Sequence, residues 1–130
     1  MSHEHTHGQT HHDLLGELAL QLQPVLESSE QGIYLYFDDN HKLCNENFAS
    51  LLGYGSAEEW AQMGGSFPAL FVDASSQDTL IDAYQKAMQS MTASTISVRW
   101  QKKSGGTADT TVILVPISYE GHLFALHFIA

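Results

Sequence analysis

The chain has 130 residues, enough to bury one core and too few for two. Hydrophobic residues make up 43% of it and charged residues 15%, the balance of a globular chain rather than a disordered one. Five Lys and Arg against 15 Asp and Glu give a formal charge of −10, which argues against nucleic acid or an anionic lipid surface as partner, because both demand a basic face. No apolar run approaches the ~20 residues of a membrane span, and the opening residues lack the apolar stretch of a signal peptide. Cys44 is the single cysteine, so an intrachain disulfide is excluded and a reducing, cytoplasmic location is expected.

Residues 1–12 form a polar tail, MSHEHTHGQTHH, which carries five of the eight histidines and no apolar residue after Met1. It can add nothing to a core. His3, His5, His7, His11 and His12 are a candidate chelating set for Ni, Zn or Cu, since several imidazoles on one chain favour such ions. An inert solubilising tail, or a cloning remnant, is the other reading of the same residues.

Residues 13–30 read as an amphipathic helix, with Leu14, Leu15, Leu18, Leu22, Val25 and Leu26 at three- and four-residue steps. Asp13 is its expected N-cap, and Pro24 predicts a kink or break because it removes an amide donor. From Gly32 the pattern turns to strands: GIYLYFDDN ends in a turn cluster and HKLC returns. NENFASLLGY is a short helix capped by Asn45 and ended by Gly53. Ser56-Ala-Glu-Glu59 is a capping box that opens a second short helix, through Trp60 and Met63. Ser75-Ser-Gln-Asp78 is a second such box, opening a longer helix to about Met91 with Leu80, Ile81, Tyr84, Ala87, Met88 and Met91 as its stripe. The last third alternates as three strands, 95–102, 107–117 and 122–130, joined by turns at 103–106 and 118–121. The absence of βαβ repetition makes the fold class α+β with one antiparallel sheet, over residues 31–130.

Six segments in this order resemble a PAS domain: Gly32-Ile-x-x-x-x-Asp38, Asn45-x-x-Phe48, Leu51-Leu-Gly-Tyr54, Lys102-Lys-Ser-Gly-Gly106, Pro116-Ile117 and Glu120-Gly-His-Leu123. The match covers about three quarters of the chain. It departs at the first hairpin, where Asn40-His41 stands in place of the frequent Asp-Gly and the second strand is about a residue short. It departs again at Ser104, where an acidic residue is usual. Both put local turn geometry in doubt and leave the core untouched. The resemblance implies a five-stranded antiparallel sheet with short helices over one face and the N-terminal amphipathic helix on the other.

Between sheet and short helices, some members of that family hold haem, flavin or a small metabolite. Alternation gives Leu35, Phe37, Tyr84, Met88, Val98, Trp100, Leu114, Phe124, Leu126 and Phe128 as the candidate ligand pocket; the plainer reading of the same residues is core packing. No haem or flavin signature is present. Cys44 lies outside the reactive-cysteine motif of flavin photoreceptors, and residues 75–91 hold no histidine for a haem. Alternation sets His127 opposite Phe124, Leu126 and Phe128, so it is expected against the N-terminal helix. With Leu14, Leu18, Leu22 and Val25 it forms a candidate helix and dimer interface.

No catalytic motif or facing carboxylate pair is found, and adjacent Asp38 and Asp39 sit in a turn. No catalytic residue is therefore assigned. The expected function is a non-enzymatic sensory module that binds a small ligand or partner and signals through rearrangement of a homodimer or its helix. The alternatives are an interaction adaptor with a filled core and metal binding through the tail.

Overall fold

An 18-residue helix, α1 (His11–Ser28), opens the part of the chain that the computed structural model describes, residues 11–130. His3, His5 and His7 lie outside the described residues, and His11 and His12 enter only as backbone of the first turn of α1. Asp13 is therefore inside that turn, complementing the helix dipole, rather than at the cap. The expected break at Pro24 does not occur. Pro24 lies on the exposed side of the helix, where the carbonyl that loses its donor can turn to water.

The remaining elements are β1 (Gly32–Asp38), β2 (His41–Cys44), α2 (Glu46–Leu51), α3 (Ala57–Ala61), α4 (Phe67–Phe71), a 3-10 turn (Ala74–Ser76), α5 (Gln77–Ser90), β3 (Ser94–Gln101), β4 (Thr107–Tyr119) and β5 (His122–Ile129). The five strands form one sheet in the order β2-β1-β5-β4-β3, antiparallel throughout. Bringing β1 beside β5 closes the chain on itself: the first and last strands become the centre of the sheet.

Local chemistry sets most of the boundaries. Asn45 caps α2 by accepting from the Phe48 amide, and Gly53 follows it at φ +84, a conformation that costs other residues. Ser56 caps α3 through the Glu59 amide, but Glu59 returns its carboxylate to the Gly55 amide at 2.7 Å, one residue before the reciprocal position of a capping box. The β4–β5 turn places Glu120 and Gly121 both at positive φ, the two-residue turn that matches strand twist.

The second expected capping box is not formed. Asp73 caps the 3-10 turn by accepting from the Ser75 amide, and Ser76, next to α5, makes no side-chain cap. Its hydroxyl instead accepts from the Arg99 amide at 2.8 Å, while Asp73 N donates to the Arg99 carbonyl at 2.9 Å. The segment thus pairs with part of β3, an edge strand whose free groups would otherwise invite other chains. Helix α4, which the sequence reading lacks, starts at Phe67-Pro68 with no side-chain cap. On α5 the buried residues are Leu80, Ala83 and Ala87, whereas Ile81 is 37% and Met91 54% exposed.

Two apolar clusters sandwich the sheet. The larger holds Tyr34, Phe48, Trp60, Phe67, Phe71, Val98, Trp100, Val112, Leu114 and Ile129 between the sheet and α2–α5. The smaller packs Leu14 and Leu18 of α1 on Leu35, Phe37 and Phe124, with Leu22 and Leu126 at its margin. A Cβ on Gly32 would meet Ile129 and the Phe48 backbone at 3.3 Å, so α2 sits almost directly on the start of β1.

This sandwich reverses part of the expected pocket. Leu35, Phe37, Phe124 and Leu126 face α1, and Phe128 shares their side by strand alternation. Tyr84, Met88, Val98, Trp100 and Leu114 are on the helical side as expected. His127 moves with its parity: it is buried on the helical side, away from α1. Of the other expected interface residues, Leu14 and Leu18 are consumed by the sheet, Leu22 is half-buried and Val25 is 48% exposed beyond it.

Candidate functional site

Tyr34 on β1 and His127 on β5 are directly paired in the sheet, so their side chains stand side by side on its inner face. The rings stack in parallel, with centroids 3.8 Å apart and planes 10° from each other. Around Tyr34 the rings of Phe48, Phe67 and Trp100 close in at 4.9, 5.4 and 5.7 Å.

Above this floor is a cavity of about 60 Å³. Its lining comes from β1 (Tyr34, Tyr36), β5 (His127), α4 (Phe67, Pro68) and α5 (Leu80, Ile81, Tyr84). Of the ten residues that alternation nominated, Tyr84 alone lines it. Tyr34, Tyr36 and His127 were missed because the Leu and Phe of the alternate parity look greasier. A larger hollow of about 700 Å³ between Ser75, Arg99 and Thr111 is a shallow polar groove, and Arg99 there is paired with Asp109 at 2.6 Å.

The cavity lining carries no charged side chain. Burial drives the His127 imidazole down to about 3, against a weaker pull from the backbone of Tyr34 and Ala125, so the ring is neutral at physiological pH. Burial also pushes the Tyr34, Tyr36 and Tyr84 phenols up. The buried Tyr34 hydroxyl and His127 Nδ1 have no hydrogen-bond partner.

The rim is pinned by the first hairpin. Tyr36 donates its hydroxyl to Asp39 Oδ1 at 2.9 Å, and the same oxygen accepts from the Phe67 amide at 3.1 Å. Buried Lys42 donates to the carbonyls of Asp39, Ala61 and Met63 at 2.8, 3.3 and 2.8 Å, with its ammonium over the Trp60 ring. The hairpin therefore holds α4 and the segment after α3 in register with β1. Its Lys42 charge is held slightly unfavourably, since burial lowers the amine's pKa more than Asp39 and Asp38 raise it.

Cys44 is buried, and its thiol is pushed up to about 12, mainly by burial, which leaves it a protonated, small core residue. Among the described residues no cluster of His, Cys, Asp and Glu could hold a metal ion, and no helix is long and apolar enough to cross a membrane.

An unpartnered buried hydroxyl costs stability, so Tyr34→Phe is expected to raise the stability of the ligand-free protein by about 1 kcal/mol. Urea unfolding measures it. A loss of stability would mean that the hydroxyl already has a partner.

No protein-family model matches the chain, and no curated protein matches it by sequence. Solved structures do. A PAS domain of an HTR-like protein from Haloarcula marismortui is 21% identical, with a TM-score of 0.61 over 89% of this chain and 93% of that one. A PAS domain from Colwellia psychrerythraea is 18% identical, with a TM-score of 0.67 over 87% and 95%. A LOV protein from Rhodobacter sphaeroides is 14% identical, with a TM-score of 0.66 over 85% of this chain and 65% of that one. The chain has the PAS fold, and the α+β architecture with one five-stranded antiparallel sheet is the one these neighbours share.

Proposed function

We propose that this PAS-fold chain is a non-enzymatic sensory module in which a small molecule held above Tyr34 and His127 alters how α1 rests on the sheet, and through α1 the pairing with a second copy. The observation that carries it is the use of both faces of the same two strands. On β1, Tyr34 floors the cavity while Leu35 supports α1; on β5, His127 and Phe124 divide the same labour. A shift of the floor cannot leave the α1 seat unmoved, because adjacent residues of a strand are rigidly linked. A ligand that favours one seating would bias that equilibrium by its differential affinity for the two.

Among the solved neighbours is a PAS domain from a two-component sensor histidine kinase, 15% identical, which fits a signalling role. Leu20 and Val25 on α1 and Ile113 on β4 are exposed apolar residues, at 74%, 48% and 42%, which supports apolar contact with a partner copy. A reducing, cytoplasmic setting suits the single buried thiol.

The small cavity favours a second reading, an adaptor whose interior is filled by aromatic side chains and which works through its surface alone. Native mass spectrometry of freshly purified protein separates the two. The sensory reading expects a dimer with a small-molecule mass in addition, and a monomer when Val25 is changed to Glu. A dimer of bare mass would select the adaptor, and a bare monomer at every concentration would overturn the dimer in both.

A further inference from the structure

Strand β3 is an edge of the sheet, and the chain covers only part of that edge. At Arg99 the outward amide donates to the Ser76 hydroxyl at 2.8 Å, and the outward carbonyl accepts from Asp73 N at 2.9 Å. Residues two apart in an antiparallel ladder turn their backbone groups the same way, so Ser97 and Thr95 also point away from β4. Val98 has the opposite parity, and its carbonyl accepts from Thr110 of β4. Among the described residues nothing pairs with the outward amides and carbonyls of Thr95 and Ser97, and both side chains are exposed. We propose that this open part of β3 pairs with the same segment of a second copy, antiparallel about a two-fold axis at Ile96, so that two sheets join edge to edge.

Register is the first argument. With Ile96 opposite Ile96 of the second copy, Thr95 of each copy stands opposite Ser97 of the other. Each of these two pairs exchanges two backbone bonds, so every open group at Thr95 and Ser97 is used. The next pair outward would set residue 93 against Arg99, whose groups Ser76 and Asp73 already hold. β3 itself begins at Ser94, so the open edge and the strand that fits it end together. A contact of this kind is self-complementary and closed.

Charge is the second. Each copy carries −10, so two copies approach closely only where carboxylates are absent. Residues 90–98, SMTASTISV, hold no ionic side chain and no proline, the devices that ordinarily blunt an edge. Thr95, Ile96 and Val98 are β-branched and suit an extended backbone. Thr95 and Ser97 of facing strands add a polar cross-strand pair on the outer face.

The contact is a weak one. A few residues of strand bury far less than the ~1,200 Å² of a standard stable interface, so it forms at high protein concentration. It lies two strands from β5, on which α1 rests, and is separate from the pairing through α1.

Sedimentation equilibrium of the whole chain over a range of concentrations tests it. The parent is expected to grow past a dimer, as two different two-fold contacts on one chain require. Val25→Glu should pass from monomer to dimer, and Ser97→Pro should stop at the dimer paired through α1. Proline at 97 removes only an outward amide and keeps the ladder with β4, yet it should weaken the edge contact at least about tenfold by taking two of its four bonds.

Disulfide trapping reads the register. Thr95→Cys mixed with Ser97→Cys sets thiols on facing residues about 5.5 Å apart at Cα, within disulfide range, whereas either variant alone places its own pair roughly 8–9 Å apart, beyond it. Both positions are exposed, and the buried Cys44 thiol does not compete. Faster cross-linking in the mixture than in either variant alone is expected. Equal cross-linking in all three, none in any, growth that Ser97→Pro leaves unchanged, or an edge that takes up only an unrelated extended peptide would overturn the proposal and leave the sensory reading standing. A mixture that cross-links in a chain whose assembly ignores Val25→Glu would instead overturn the pairing through α1.

Discussion

Replacing Asn45 by alanine is expected to cost about 2–4 kcal/mol of stability, the largest loss from any single polar truncation outside the cavity floor. The residue is 5% exposed, and both ends of its amide are hydrogen-bonded. Its Oδ1 accepts from the Ile33 amide at 3.0 Å and the Phe48 amide at 3.1 Å, and its Nδ2 donates to the carbonyls of Gln31 and Leu26 at 2.9 and 3.3 Å. One residue therefore caps α2, starts β1 and holds the end of α1. Truncation removes a helix cap and strands the buried Ile33 amide, two losses that each cost about 1 kcal/mol or more. Urea midpoints measure the total, and hydrogen exchange at Ile33 and Phe48 locates it.

Asn45→Asp sharpens that expectation. The carboxylate keeps both acceptor bonds but points its second oxygen at the Gln31 and Leu26 carbonyls, so at neutral pH it is expected to be about as damaging as alanine. Protonation restores one donor, and part of the stability should return as the pH falls through the carboxylate range. A variant as stable as the parent at neutral pH would mean that the Nδ2 bonds contribute nothing.

Asn45 was legible in the sequence because a cap is local: the side chain and the amide that it satisfies are three residues apart. The same holds for Gly53, for Ser56 and for the Glu120-Gly121 turn, where one dihedral or one bond decides the boundary. The box expected at Ser75–Asp78 fails for the opposite reason: Ser75 lies in the 3-10 turn, and the residue that stands at the start of α5 is Ser76. Its hydroxyl is taken by Arg99, 23 residues away, and no local rule sees that partner. Helix α4 gave no periodicity to read, being five residues long, and the Ser66 that precedes it makes no side-chain cap.

The cavity was illegible for a different reason. Alternation fixes which residues share a face but not which face is covered by what. On β1 the choice lay between Leu35 with Phe37 and Tyr34 with Tyr36; on β5, between Phe124 with Leu126 and Ala125 with His127. A sheet covered on one side would have put the purely apolar set in the core. Here both sides are covered, and the leucines of α1 take the purely apolar set, which leaves the residues with polar tips to face the short helices. A clue was available: Tyr and His end in groups that tolerate a cavity better than a tight leucine seam does. The same argument moves His127 from a helix interface to a cavity floor, and it changes what that histidine does.

As the floor of the cavity, His127 is expected to make the protein acid-labile well above the range in which its carboxylates protonate. In the unfolded chain the imidazole titrates near 6.5; in the folded chain burial holds it to about 3. Between those values the unfolded state binds a proton that the native state refuses, so stability rises with pH there and falls as pH drops. The contribution is fully present above about pH 6.5 and is lost at about 1.4 kcal/mol per unit below it, or roughly 3 kcal/mol by pH 4. Asp73 and Asp109, whose carboxyls are held below the usual range by Ser75 and Arg99 respectively, add their own loss only as they protonate at lower pH. His127→Phe preserves a ring against Tyr34 and removes the titration, so the parent should lose roughly 3 kcal/mol relative to the variant as pH falls from 6.5 to 4. Urea unfolding at half-unit steps measures that difference. Parallel curves across this window would mean that the imidazole is reached by water in the native state, and the Tyr34–His127 stack would not be the dry pair that its burial indicates.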